Sequence, residues 1–63
     1  MSPVASKALD SRAHAVMLDA RRKPLCAPAA RNFLTLAARY AERCGQPWLA
    51  EKCKGYQQAI LGN

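Results

Sequence analysis

The sequence is short of the residue types on which most enzyme and metal sites depend. It has one histidine, four carboxylates and three cysteines, with no Cys-x-x-Cys pair. A metal site needs clustered histidine, cysteine or carboxylate ligands, and acid–base catalysis needs a titratable group held beside the reacting atoms. We therefore predict a non-enzymatic protein with no catalytic residue, no metal ligand, no cofactor-binding residue and no small-molecule substrate.

Long apolar runs are also missing. No stretch is long enough to cross a bilayer, and no apolar run follows the first basic residue, as a secretory signal would require. The odd number of cysteines fits reduced thiols better than a disulfide framework. These absences predict a cytoplasmic protein that does not enter a membrane.

Positive charge and alanine are abundant. Ten Lys and Arg residues against four Asp and Glu residues give a net charge of +6 over 63 residues. Such a surface favours acidic partners, whether protein, nucleic acid or anionic lipid. Because a chain of this length builds only a small core, we predict one helical domain over residues 1–63 that binds another protein or a second copy of itself.

The clearest helical pattern lies in residues 28–44. Apolar side chains fall on one arc at helical spacing, with Leu36 and Tyr40 on its flank; the arc consists of Phe33, Leu34, Ala37, Ala38, Ala41 and Cys44. Pro28 suits a first helical turn, and Gly45 suits the left-handed residue that follows a helix. A second helix, residues 47–61, begins at its own proline.

The apolar stripes of these two helices match when the chain folds back on itself. The predicted levels pair Cys44 with Leu49, Tyr40 with Cys53, Ala37 with Tyr56, and Phe33 with Ile60. In the middle two levels a large ring meets a small residue, as close packing requires. We therefore predict an all-α fold built on an antiparallel αα-hairpin.

An N-terminal helix over residues 4–22 is predicted from a weaker, alanine-rich stripe that follows a Ser2–Pro3 start. This helix either closes a small three-helix bundle or packs on another chain in a helical oligomer. Residues 23–27 form the linker to the hairpin, and we expect Leu25 to be tucked into the core.

The partner-binding residues are predicted on the polar side of the hairpin. Arg31, Arg39 and Arg43 share the polar arc of the central helix, and arginine pairs well with carboxylates at interfaces. Trp48, at the turn end of the hairpin, would add an apolar anchor. The same arginines could instead grip phosphates, although no aromatic residue interleaves with the basic ones to stack on single-stranded bases.

Residues 36–60 resemble two kinds of helical hairpin. One is the tetratricopeptide unit, matched out of register through Tyr40, Gly45, Ala50 and Tyr56. The other is the hairpin of short ANR/PerC-type regulators, which runs Ala…Glu-x-x-Gly-x-aromatic…Ala…aromatic; its positions are taken here by Glu42, Gly45, Trp48, Ala50 and Tyr56. Trp48 lies one place later and Tyr56 two places later than in that pattern, and the family's arginine-rich tail is absent. This resemblance implies action through contact with a transcription regulator.

From these observations we predict a small regulatory or adaptor protein. It would bind another protein, such as a transcription regulator or another partner with an acidic surface, and modulate or inhibit its activity. The protein could also form a homodimer. The alternative is a basic accessory protein that binds structured RNA or nonspecific DNA.

Overall fold

The computed structural model describes residues 2–61, which form three α-helices and no strand. The helices are α1 (Pro3–Arg22), α2 (Ala27–Arg43) and α3 (Pro47–Leu61), and a short 3-10 turn, Pro24–Cys26, joins α1 to α2. The predicted all-α fold is thus confirmed, with each helix end within one residue of its predicted position. Over the same residues, no helix is both long and apolar enough to span a bilayer.

The ends of the helices follow local sequence signals. The Ser2 hydroxyl accepts a hydrogen bond from the Ala5 N–H at 3.1 Å, and Pro3 occupies the first turn of α1. After α2, Gly45 has a φ of 73°. The Gln46 N–H then donates to the Ala41 carbonyl at 2.8 Å, which satisfies a carbonyl at the helix end. Gly45 thereby reverses the chain into α3.

Helices α2 and α3 pack along a seam of mostly small residues. The buried core residues along it are Leu34, Ala37, Ala38 and Ala41 from α2, with Leu49, Ala50 and Cys53 from α3. Gln57 Nε2 donates to Thr35 Oγ1 at 2.6 Å, and Lys54 pairs with Glu42 at 3.8 Å. Both contacts agree with the predicted axial register of the hairpin to within one helical turn.

Helix α1 closes a three-helix bundle within the chain. Its residues Ala13, Met17 and Ala20 are buried, and Ala13 belongs to the same core as the α2–α3 seam. Leu9 and Phe33 pack against the edge of that core. The alanine-rich stripe of α1 therefore packs against α2 and α3 of the same chain.

Two expectations about large apolar residues are wrong. Leu25 is 97% exposed and does not enter the core, because the 3-10 turn directs it outwards. Tyr40 is 55% exposed and does not fill the space opposite Cys53. The seam between α2 and α3 is lined mostly by alanines and leaves no room for the Tyr40 ring, so Tyr40 lies on the α1 side of α2 instead.

The two glycines around α3 give a paired stability test. An added Cβ meets no atom within 4 Å at Gly45 or at Gly55, so only the backbone conformation distinguishes them. Gly45→Ala forces a side chain into a left-handed conformation and should lower the free energy of unfolding by about 1–2 kcal/mol. Gly55→Ala, inside a regular helix, should raise it by about 0.5–1 kcal/mol.

Urea denaturation followed by circular dichroism measures both changes. Equal effects of the two substitutions would contradict the positions assigned to Gly45 and Gly55.

Candidate functional site

Two of the predicted binding residues lie together on the outer surface of α2. Arg39 and Arg43 are both exposed and line one shallow depression of about 510 Å³, which Leu36, Tyr40 and Glu42 complete. The two arginines are one helical turn apart, so both guanidinium groups reach the same surface. The depression therefore combines positive charge with exposed apolar side chains.

Arg31 lies away from this depression. Its carbonyl accepts hydrogen bonds from Thr35 Oγ1 at 3.0 Å and from Gln57 Nε2 at 3.0 Å, which places it where α2 meets α3. The helical positions of Arg31 and Arg43 differ by about 120° at 100° per residue. The structure thus separates Arg31 from the pair with which the sequence grouped it.

Trp48 belongs to a different side of the bundle. It is 44% exposed, and its Nε1 donates to Gln46 Oε1 at 2.8 Å. Lys52, one turn further along α3, reaches across to Asp10 of α1 at 3.5 Å. Trp48 is therefore tied to Gln46 in the turn before α3, and it does not line the depression that holds Arg39 and Arg43.

An apolar groove between α1 and α2 was not predicted from the sequence. Its larger part, of about 410 Å³, is lined by Ala5, Leu9, Phe33, Leu36, Ala37 and Tyr40. Its smaller part, of about 250 Å³, is lined by Val16, Asp19, Cys26, Ala29, Ala30 and Phe33. Phe33 borders both parts, and we call the two parts together the α1–α2 groove. Leu36 and Tyr40 connect it to the arginine-lined depression.

The sequence did contain a signal for this groove. Leu36 and Tyr40 lie on the flank of the apolar arc of α2, and that arc is wider than one neighbouring helix can cover. Which part of the arc stays open depends on where α1 packs, and the sequence alone did not give that position.

Arginines around the groove have no acidic partner within residues 2–61. The ion pairs over that range all use lysines: Lys52 with Asp10, and Lys54 with Glu42 and Glu51. The Arg12 guanidinium lies 6.0 Å from the centre of the Phe33 ring, a cation–π contact above the groove. Arg12, Arg39 and Arg43 therefore keep their positive charge available to a partner.

A second polar cluster joins α1 to α3. The Tyr56 hydroxyl donates to Asp10 Oδ1 at 2.8 Å, and the Tyr56 ring lies 5.6 Å from the His14 ring. Asp10 is engaged by both Tyr56 and Lys52 of α3, so its carboxylate links the two helices. The cluster holds α1 and α3 together.

Partial burial of this cluster raises the pKa values of Tyr56 and of the neighbouring Cys53. Burial, and then the hydrogen bond to Asp10, raise the pKa of Tyr56 from 10.0 to about 12. Burial, with the nearby Asp10 charge, also raises the pKa of the Cys53 thiol, so Cys53 stays protonated near neutral pH. A protonated buried thiol is a poor nucleophile and packs as a small apolar residue.

The cysteines are all free, with Cys26 exposed, Cys44 half-buried and Cys53 buried. Among residues 2–61, no three His, Cys, Asp or Glu side chains gather closely enough to hold a metal ion.

Comparison with known proteins adds no further guide, because no protein-family model, curated protein or solved structure matches the chain. The resemblance to ANR/PerC-type and tetratricopeptide hairpins stays a prediction.

The Tyr56–Asp10 hydrogen bond predicts a pH-dependent stability. Tyr56→Phe should lower the free energy of unfolding by about 1.5–3 kcal/mol at pH 8, since hydrogen bonds to charged groups contribute about that much. Because the pKa of Tyr56 is higher in the folded state, its contribution is complete below pH 10 and is lost as the pH rises towards about 12.

Urea denaturation of wild type and Tyr56→Phe across this pH range measures the difference, in which all other titrating groups cancel. Tyr40→Phe is the control, because Tyr40 is more exposed and should cost less. A difference that stays constant up to pH 12 would show that the hydroxyl does not make this bond.

Proposed function

We propose that this protein is a small, non-enzymatic regulator or adaptor that binds another protein through α2 and the α1–α2 groove. One observation carries the proposal: Leu36 and Tyr40 are each 55% exposed directly beside Arg39 and Arg43, whose charges have no ion-pair partner among residues 2–61. Arginine and aromatic residues are enriched at protein interfaces, where the apolar part contributes affinity and the charges contribute orientation.

This mixture favours a protein partner over a nucleic acid. Phosphate groups need only the basic side chains, and a surface built for them gains nothing from an exposed leucine. Contiguous exposed apolar surface with a polar rim is typical of a protein-binding site. Nonspecific binding to RNA or DNA remains the second candidate because of the net charge of +6.

The proposed site differs in part from the one predicted from the sequence. Arg39 and Arg43 are kept, and Leu36 and Tyr40 replace Trp48 as the apolar component. Arg31 and Trp48 lie elsewhere on the bundle, so we propose no direct role for them at this surface. The partner would carry an acidic surface, as a transcription regulator could, and would be met in the cytoplasm.

Charge reversal tests the proposal. The full chain, immobilised, is exposed to a nuclease-treated extract of its source cells, and the retained proteins are quantified by mass spectrometry. Arg39→Glu/Arg43→Glu should lose the specific partner, whereas Arg21→Glu/Arg22→Glu at the end of α1 should retain it. The two variants change the net charge equally, and all four arginines are exposed.

Two results would contradict the proposal. In the first, both variants retain the same proteins as the wild type. In the second, the chain shifts structured RNA or duplex DNA with a steep salt dependence that Arg39→Glu/Arg43→Glu abolishes, while no protein depends on that pair. The second result would assign the surface to phosphate binding.

A further inference from the structure

We propose that the partner presents an acidic amphipathic helix, which lies along the α1–α2 groove as a fourth helix of the bundle. This inference rests on the proposed function and specifies what the partner inserts. It depends on three properties of the groove: its length, its apolar floor and the sign of the charge along its rims.

The groove has the length of a short helix. On α1 its lining runs from Ala5 to Asp19, and on α2 from Tyr40 back to Ala29. At 1.5 Å per residue these segments are about 21 Å and about 16 Å long, which matches about three to four turns of an occupying helix.

The floor of the groove accepts side chains at helical spacing. Phe33 lies in the middle and borders both parts of the groove, with Leu9 and Leu36 in the larger part and Val16 in the smaller. An occupying helix with apolar residues at i, i+3 or i+4, and i+7 would place one side chain against each part. Phe33, Leu9 and Val16 are only half-buried in the chain alone, so these contacts would cover them further.

The rims select acidic residues. Arg12 stands over Phe33 on the α1 side, while Arg39 and Arg43 stand beside Leu36 and Tyr40 on the α2 side. Glu42 also lines the depression but is engaged by Lys54. Asp19 is the acidic residue at the far, smaller part of the groove. A helix with Asp or Glu on both flanks of its apolar stripe, concentrated toward the Arg39 end, is therefore complementary.

A second copy of the chain is a poorer occupant. Each copy has a net charge of +6, and a symmetric pairing through this groove would bring two arginine-rimmed surfaces together. An acidic helix from another protein would instead be attracted to the arginines along the groove. We therefore assign the groove to a different, acidic chain.

The test uses three stapled helical peptides of about four turns that share one apolar stripe. Their flanking positions carry glutamate, glutamine or lysine, and each peptide is labelled for fluorescence anisotropy against the full chain. The expected order of affinity is glutamate, then glutamine, then lysine, with about a tenfold loss from the first to the last at low salt. The differences in affinity among the three peptides should shrink as ionic strength rises, because salt screens the charges.

Matched variants locate the peptide. Leu36→Ser should weaken binding of the glutamate peptide at least about fivefold, consistent with removal of a large apolar contact. Leu18→Ser is the control, since Leu18 is 43% exposed but lies outside the groove lining. In Arg39→Glu/Arg43→Glu the lysine peptide should bind better than the glutamate peptide. Amide chemical shifts in wild type should move along Leu9, Phe33 and Leu36.

The outcomes separate this inference from the proposed function. If the extract experiment finds a protein that depends on Arg39 and Arg43, but the glutamate peptide binds no better than the other two, the acidic helix is wrong and the proposed function stands. If neither experiment depends on that pair, both are wrong. Wild-type self-association that Leu36→Ser abolishes would give the groove to a second copy and overturn the acidic-helix assignment.

Discussion

Alanine sets the geometry of this bundle. Four of the five buried residues of α2 are alanines, and Ala13, Ala20 and Ala50 face them from the other helices. Small side chains let helix axes approach closely, and the closely packed seam then has no space for further large rings. The larger apolar residues of α2, namely Phe33, Leu36 and Tyr40, are consequently placed at the edge of the seam, where they border the groove beside α1.

The same seam limits how much stability the fold can gain from burial. Alanine removes little apolar area from water, and Leu34 and Leu49 are the only leucines that are fully buried among residues 2–61. Polar contacts around the seam therefore help to fix the helices relative to one another. The hydrogen bond from Tyr56 to Asp10 holds α1 on α3, and the one from Gln57 to Thr35 holds α3 on α2. Satisfied, partly buried hydrogen bonds of this kind favour one packing arrangement over its neighbours.

The helices, their ends and the hairpin register could be predicted because each depends on local signals: prolines in first turns, Gly45 after α2, and apolar spacing within each helix. The positions of Tyr40 and Leu25 could not, because each depends on a third element. Whether Tyr40 turns toward α3 or α1 is decided by where α1 packs, and the 3-10 turn that exposes Leu25 has no strong sequence pattern. The candidate site could be predicted only in part for the same reason. The pairing of Arg39 with Arg43 follows from the spacing within one helix, whereas the groove forms only where two helices pack.

Helix α2 divides its leucines between the core of the fold and the proposed binding surface. Leu34 is fully buried, while Leu36, two residues away, is 55% exposed. The free energies of unfolding of Leu34→Ala and Leu36→Ala, measured in urea on the isolated chain, test this most directly. We expect a loss of about 2–5 kcal/mol for Leu34→Ala, enough to unfold much of so small a domain, and a change within about 0.5 kcal/mol for Leu36→Ala. Comparable losses at the two positions would show that Leu36 serves the fold and would contradict this division of roles.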